Sequence, residues 1–267
     1  MENVKTAGKP DYKSIPIIGV IGGVGPYAGL DFVRKIFNNT RAVRDQDHLN
    51  CMLVSCPSIV NDRTNFLLAP NDEEENPAYG MYESARRLHM ADVKVACVAC
   101  NTAHADRIFS HFLAMVAETL PGLQIVNMLE TCALFAKKSL GIEKLGLLAT
   151  KGTHKSRVYH EYFKEKDGFI LMEPDEAGQE NLHEAIFNKE FGIKAHSDVI
   201  KPQAKELIKG EIKKLAGQGA KGIILGCTEL PLAVQNSDSS VPLIDPGFIA
   251  ARKLIELVAP EKLLPYK

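Results

Sequence analysis

A surplus of charge is missing from this sequence. Its 267 residues carry 32 Lys and Arg against 33 Asp and Glu, a formal net charge of -1. Without a basic footprint, binding to nucleic acid has no electrostatic support. Long apolar runs are missing too. None approaches the roughly 20 residues that span a bilayer, so no membrane partner is expected. The polar stretch from Met1 to Ser14 holds no signal-peptide core. The expectation is a cytoplasmic protein whose first residues fray outside the fold. A second CxxC and any HxxxH are also lacking. Cys97 and Cys100 have CxxC spacing, but a zinc site would need two further ligands, and no metal is expected. A thioredoxin-like pair opens a helix, whereas Cys97 falls inside an apolar strand. The other cysteines are Cys51, Cys56, Cys132 and Cys227. All six are expected as reduced thiols, not as a disulfide framework.

What is present is an ordinary globular composition, 45% hydrophobic and 24% charged, long enough for one large or two medium domains. The β-branched run Ile15 to Ile21 reads as a strand. Gly22-Gly23-Val24-Gly25-Pro26 follows, then a helix with Leu30, Val33, Ile36 and Phe37 on one face. Gly23, Gly25 and Ala28 fit G-x-G-x-x-A. The next strand, Cys51 to Ser55, nevertheless ends in Cys56-Pro57-Ser58 with no acid to hold a ribose, and no P-loop lysine is present. The turn therefore suits a small carboxylate or a purely structural role. Further expectations are an acidic loop from Asn71 to Asn76, a helix from Pro77 to Met90, and a buried strand from Val93 to Val98. After them come a helix from Ala103 to Ala117, a short strand from Leu123 to Met128, and a helix from Leu129 to Ser139 ended by Gly141.

Lys144 to Thr150 repeats the opening strand and starts a second half. Helices are expected near Lys155 to Lys164, from Glu180, and from Ala204 to Ala216. Strands are expected at Phe169 to Met172, from Gly222 toward Cys227, and at Val241 to Ile244, with a last helix after Asp245-Pro246-Gly247. The predicted fold class is α/β: two pseudosymmetric lobes with parallel sheets flanked by helices, and an active-site cleft between them. Residues 15–118 plus 245–267 are assigned to the first lobe, carrying Cys100. Residues 119–244 are assigned to the second, carrying Cys227.

The two halves share a further feature. Cys100-Asn101-Thr102 and Cys227-Thr228-Glu229 each follow an apolar strand and precede a predicted helix, where open α/β sheets build their sites. Alone, either cysteine reads as well as a small buried hydrophobe. Two thiols facing each other across one cleft suit inversion at a carbon bearing an acidic hydrogen. One, as thiolate, removes the proton, and the other, as thiol, returns one to the opposite face. A free thiol has a pKa of about 8.5, so one of the pair must be shifted by a helix N-terminus or a nearby cation. Asn101, Thr102 and Thr228 supply donors for the carbanion's charge. His104 either assists Cys100 or only starts the helix. Arg63 either pairs bidentately with a carboxylate or forms a loop pair with Asp62. Cys132 reads as core packing.

Several ordered motifs together carry a resemblance that spans nearly the whole chain from Ile17. They are Gly22-Gly23-Val24-Gly25-Pro26, Asp62-Arg63-Thr64, Cys100-Asn101-Thr102-Ala103-His104, Leu147-Leu148-Ala149-Thr150, Gly226-Cys227-Thr228-Glu229 and Pro242-Leu243-Ile244-Asp245-Pro246. The chain resembles the aspartate/glutamate racemase family, most closely its aspartate racemase branch. The resemblance implies a cofactor-independent, two-base amino-acid racemase without pyridoxal phosphate, acting on a small dicarboxylic amino acid, usually as a homodimer. It assigns the acid and base roles to Cys100 and Cys227. It makes Asn101, Thr102, Thr150 and Thr228 contacts for the carboxylate or amino group. It also makes Arg63 the cation on the distal carboxylate and Lys194 a second cationic contact. Val24 stands where the branch more often has methionine. The alternatives are a glutamate or broad-specificity racemase, a maleate isomerase or a hydantoin racemase. From another class, a non-catalytic carboxylate-binding protein also fits the cleft.

Overall fold

A computed structural model describes residues 16–69 and 75–266. The expected leader Met1 to Ser14, the strand start at Ile15 and most of the acidic loop lie outside the described residues. In chain order, the first part comprises β1 (Ile17–Gly22), α1 (Pro26–Asn38), β2 (Asn50–Ser55), α2 (Arg63–Leu68), α3 (Ala78–Met90), β3 (Val95–Val98), α4 (Asp106–Thr119), β4 (Gln124–Val126) and α5 (Met128–Phe135). The second comprises β5 (Lys144–Leu148), α6 (Lys151–Ser156), α7 (Val158–Tyr162), β6 (Ile170–Met172), α8 (Glu176–Phe187), α9 (Pro202–Gly217), β7 (Gly222–Leu225), α10 (Leu230–Ala233) and β8 (Leu243–Ile244). Helix α11 (Pro246–Val258) follows and packs on α1 and α5.

Two four-stranded sheets result, ordered β2-β1-β3-β4 and β6-β5-β7-β8, with every pairing parallel. Helices flank each sheet, and the two lobes repeat one topology. The sequence explains the central strands. β3 and β7 are buried along their whole length, which a strand covered by helices on both faces requires. Burying one such Val, Ile or Leu contributes about 1.5–3 kcal/mol. One core cluster runs through both lobes, joining Val20, Phe32 and Met128 to Leu147, Tyr159 and Ile224. Among the described residues, no helix is long and apolar enough to cross a membrane.

Three expectations need correction. β4 was assigned by position to the second lobe, yet it pairs with β3 in the first sheet, so the boundary expected at residue 119 cuts that sheet. The helix expected from Ala103 begins only at Asp106. Residues Thr102–His104 form a separate 3-10 turn, and Ala105 is extended, because His104 turns inward to bind backbone. The helix expected over 155–164 is two short ones, α6 and α7. They are split at Arg157, which has a left-handed φ of 54°.

Candidate active site

β3 ends at Val98 and β7 at Leu225, and a cysteine stands two residues beyond each. The turns are tied down alike. The Ala99 N–H donates to the Ile21 carbonyl at 2.9 Å, and the Gly226 N–H to the Leu148 carbonyl at 2.6 Å. Each turn is thus held by the end of its neighbouring central strand. Val24 and Thr150 likewise sit two residues beyond β1 and β5. These four strand ends and the start of α2 enclose a cavity of about 230 Å³. Arg63, Cys100, Asn101, Thr102, Thr150, Lys194, Cys227 and Thr228 all line it. The structure therefore brings together every site residue expected from sequence.

On the Cys100 side the hydrogen-bonding groups of the wall are neutral. The Tyr159 hydroxyl, from the second lobe, donates to Asn101 Oδ1 at 2.8 Å. The Asn101 amide nitrogen is buried without a hydrogen-bond partner among the described residues, leaving a donor beside the cavity it lines. Thr102 and Thr150 each lie 3.0 Å, hydroxyl to hydroxyl, from Thr153. Thr150 also caps α6 by accepting from the Thr153 N–H at 3.2 Å. Its hydroxyl therefore has a structural task as well as a place in the wall.

His104 is fully buried and is absent from the cavity wall. Its Nε2 accepts from the Met128 N–H at 3.2 Å, so Nδ1 carries the proton and donates to the Cys100 carbonyl at 2.8 Å. Burial holds the ring's pKa down to about 4. A neutral imidazole fixed at both nitrogens braces the Cys100 turn and leaves the thiol alone.

The Cys227 side is charged. Glu229, buried, takes the Cys227 thiol and the Thr228 hydroxyl on Oε2, each at 3.1 Å. Its Oε1 takes the Lys194 ammonium. Burial alone would raise the Glu229 pKa, but Lys194 and these donors hold it below the usual carboxylate range. Burial, and then the Glu229 charge, pushes the Cys227 thiol well above the ordinary thiol value. Lys194 loses by burial but gains more from Glu229 and the cysteines, and its pKa is raised. The helix after Cys227, α10, has only four residues, so the dipole expected to favour a thiolate there is small.

Arg63 differs from Lys194. Its guanidinium donates to the carbonyls of Asn61 at 3.1 Å and Val24 at 3.3 Å, and its buried Nε has no hydrogen-bond partner among the described residues. Asp62, the alternative partner, instead caps α2 by accepting from the Asn65 N–H at 2.8 Å. Among the described residues no carboxylate pairs with Arg63, and this cation lines the cavity with its charge uncompensated.

Sequence reading missed Glu229, Thr153 and Phe187 in the wall. Glu229 was visible as the last residue of the Cys227 motif. Its role was not, because Lys194 reaches it from 35 residues away. Cys97, three residues before Cys100, points into the cluster that holds Phe32 and Cys132, away from the cavity. Among the described residues no group of three or more His, Cys, Asp or Glu could hold a metal.

Residues 21–254 match the family model described as Asp/Glu/Hydantoin racemase. Among solved structures, an aspartate racemase of Picrophilus torridus is similar at a TM-score of 0.75 and 27% identity, covering 91% of this chain and 94% of that one. An aspartate racemase homologue from Pyrococcus horikoshii is similar at 0.69 and 28%, covering 92% and 100%. A glutamate racemase of Pediococcus pentosaceus is 28% identical over 185 residues, 68% of this chain and 64% of its own. The chain thus spans less than two thirds of that relative's length.

Proposed function

The chain belongs to the Asp/Glu/hydantoin racemase family, and from that premise we propose that it interconverts L- and D-aspartate by a two-thiol transfer of the α-proton. The observation that carries the reading is one cavity walled by two thiols from equivalent strand ends and by an arginine that has no carboxylate partner among the described residues. The thiolate of one cysteine takes the α-hydrogen as a proton. The C–H electron pair moves into the α-carboxylate, where Asn101 and the threonines offer donors. The other cysteine gives its thiol proton to the opposite face. The enantiomer leaves, and the two cysteines have exchanged protonation states. Arg63 holds the distal carboxylate. The chemistry asks nothing of a pyridoxal cofactor.

Aspartate is put before glutamate because the aspartate racemase structure is similar at a TM-score of 0.75, against 0.58 for a glutamate racemase structure from Francisella tularensis that covers as much of this chain. A single methylene changes recognition by only about 1–3 kcal/mol, so a broad acidic range belongs to the same reading. A homodimer is part of it and is checked by light scattering on the purified protein. The deciding experiment is proton NMR of L-aspartate with the protein in D2O, with reductant and EDTA and without pyridoxal phosphate. Loss of the α-proton signal with appearance of D-aspartate is expected. Exchange with glutamate alone would move the specificity. No exchange with either amino acid, while both still bind, would replace the enzyme by a carboxylate-binding protein.

A further inference from the structure

Glu229 has no part in the proton transfer as drawn, yet it is the most heavily committed side chain in the wall. Both its oxygens are occupied: Oε2 by the Cys227 thiol and Thr228, and Oε1 by Lys194. A third feature favours its charge. A Cβ placed on Gly25 would lie 2.8 Å from Glu229 Oε1, and Gly25 is the N-cap of the 13-residue helix α1. The carboxylate therefore sits where the glycine turn leads into a helix, and the positive end of a helix favours an anion. That turn, read from sequence as a place for a ligand's carboxylate or as structural, lies against one of the protein's own.

An ionised carboxylate only accepts hydrogen bonds, so the proton between Sγ and Oε2 belongs to the sulfur. A thiolate at that place would face a negative oxygen at contact distance. The first lobe offers the control. Two residues after Cys100 stands Thr102, where two after Cys227 stands Glu229, and the Thr102 hydroxyl meets the Thr153 hydroxyl. We propose that Glu229 sets the protonation of Cys227: its carboxylate retains the thiol's proton, so that Cys227 waits as the acid and Cys100 is the thiol left to act as base. Glu229 acts through Cys227 and is a positioning residue. Only the acid and base labels rest on the racemase reading; the hydrogen-bond argument does not.

Rate constants alone would not expose this asymmetry. The two enantiomers have equal free energy, so kcat/KM is equal in both directions however the thiols are poised. The protonation itself is therefore the quantity to read. The charged and titratable groups nearest Cys227 are Glu229 and Lys194, with Cys100 and Tyr159 farther across the site and Arg63 and Asp62 in the same cavity wall. The experiment is alkylation by iodoacetamide over a pH series, with the Cys227 and Cys100 peptides followed separately by mass spectrometry. Glu229→Gln is expected to lower the Cys227 midpoint by about 1–3 pH units. Lys194→Met, which strips the carboxylate of its counter-charge, is expected to raise it. The Cys100 midpoint is expected to move less than that of Cys227 in both variants. Glu229→Gln leaves a lysine unpaired in a buried place, so the double variant Glu229→Gln/Lys194→Met is included, with a midpoint expected between those of the single variants. Unmoved midpoints, or shifts of the same sign in both single variants, overturn the proposal. Opposite shifts in a protein that exchanges neither aspartate nor glutamate would uphold Glu229 and remove the racemase reading. Exchange with unmoved midpoints would do the reverse.

Discussion

Cys100 and Cys227 leave their strands in the same way, two residues past the end and with the turn hydrogen-bonded to the neighbouring central strand. Their surroundings then diverge. Cys100 is followed by neutral donors and braced from behind by a neutral histidine. Cys227 is followed by a carboxylate that is itself held by a lysine. A repeated backbone has thus been given two electrostatic settings. Symmetric geometry presents two thiols to one cavity, and a carboxylate is hydrogen-bonded to the Cys227 thiol. The two cations differ in the same sense. Lys194 is neutralised within the protein, whereas Arg63 has no carboxylate partner among the described residues and is left for one brought by a ligand.

The largest expected effect comes from removing either side of the thiol pair. Cys100→Ala and Cys227→Ala should each lower racemisation on the order of 10²–10⁴-fold, a range typical of general acid–base groups. Aspartate binding, followed by calorimetry, should persist. Undiminished turnover in either variant would break the pairing. Next is the pair of cations. Arg63→Glu should reduce kcat/KM for aspartate by roughly 10²–10³-fold, as loss of a charge pair at 2–5 kcal/mol allows. Its thermal midpoint should move little, and comparable losses in turnover and stability would assign Arg63 to structure instead.

The brace behind Cys100 predicts a pH effect on stability. The unfolded chain protonates its histidine near pH 6.5, whereas folded His104 does so only at about 4. Between those values the unfolded state binds the extra proton, so stability falls as the pH drops. The loss reaches about 3 kcal/mol at the acid end. Urea unfolding at pH 7 and pH 4.5 (roughly the two ends of that window) should show it. His104→Asn should flatten the dependence, and an unchanged slope would show that other groups carry it. The smallest effect belongs to the Cys227 side. Gly25→Ala forces a side chain onto a φ of 132° and against Glu229, costing about 2 kcal/mol. Gly122→Ala is the comparison, since its φ is also positive but its Cβ would meet nothing within 4 Å. An equal loss in both would mean that the approach to Glu229 adds nothing.

Much of the fold was legible. β1, β3, β5 and β7 are apolar runs ended by glycine or alanine, and the parallel arrangement follows from such runs alternating with amphipathic helices. Helix stops were legible where a special residue marks them, as at Gly141, whose φ is 65°. Helix starts were less so. The turn from Thr102 to His104 reads as helix until His104 is seen to bind Met128, which lies 24 residues away. β4 was misplaced because three residues in a row say nothing about which sheet edge they join.

By itself, then, the amino-acid order determined the alternation of strands and helices, the repeat of one half in the other, and the placing of a cysteine just past a buried strand in each. These follow from local periodicity and chain stiffness, which act over a few residues. The tertiary structure alone decided which edge β4 joins, that Asp62 caps a helix and leaves Arg63 without a carboxylate among the described residues, and that Lys194 and the start of α1 converge on Glu229. Charge and desolvation act through space across a few ångströms. No spacing along the chain records which distant groups will meet there.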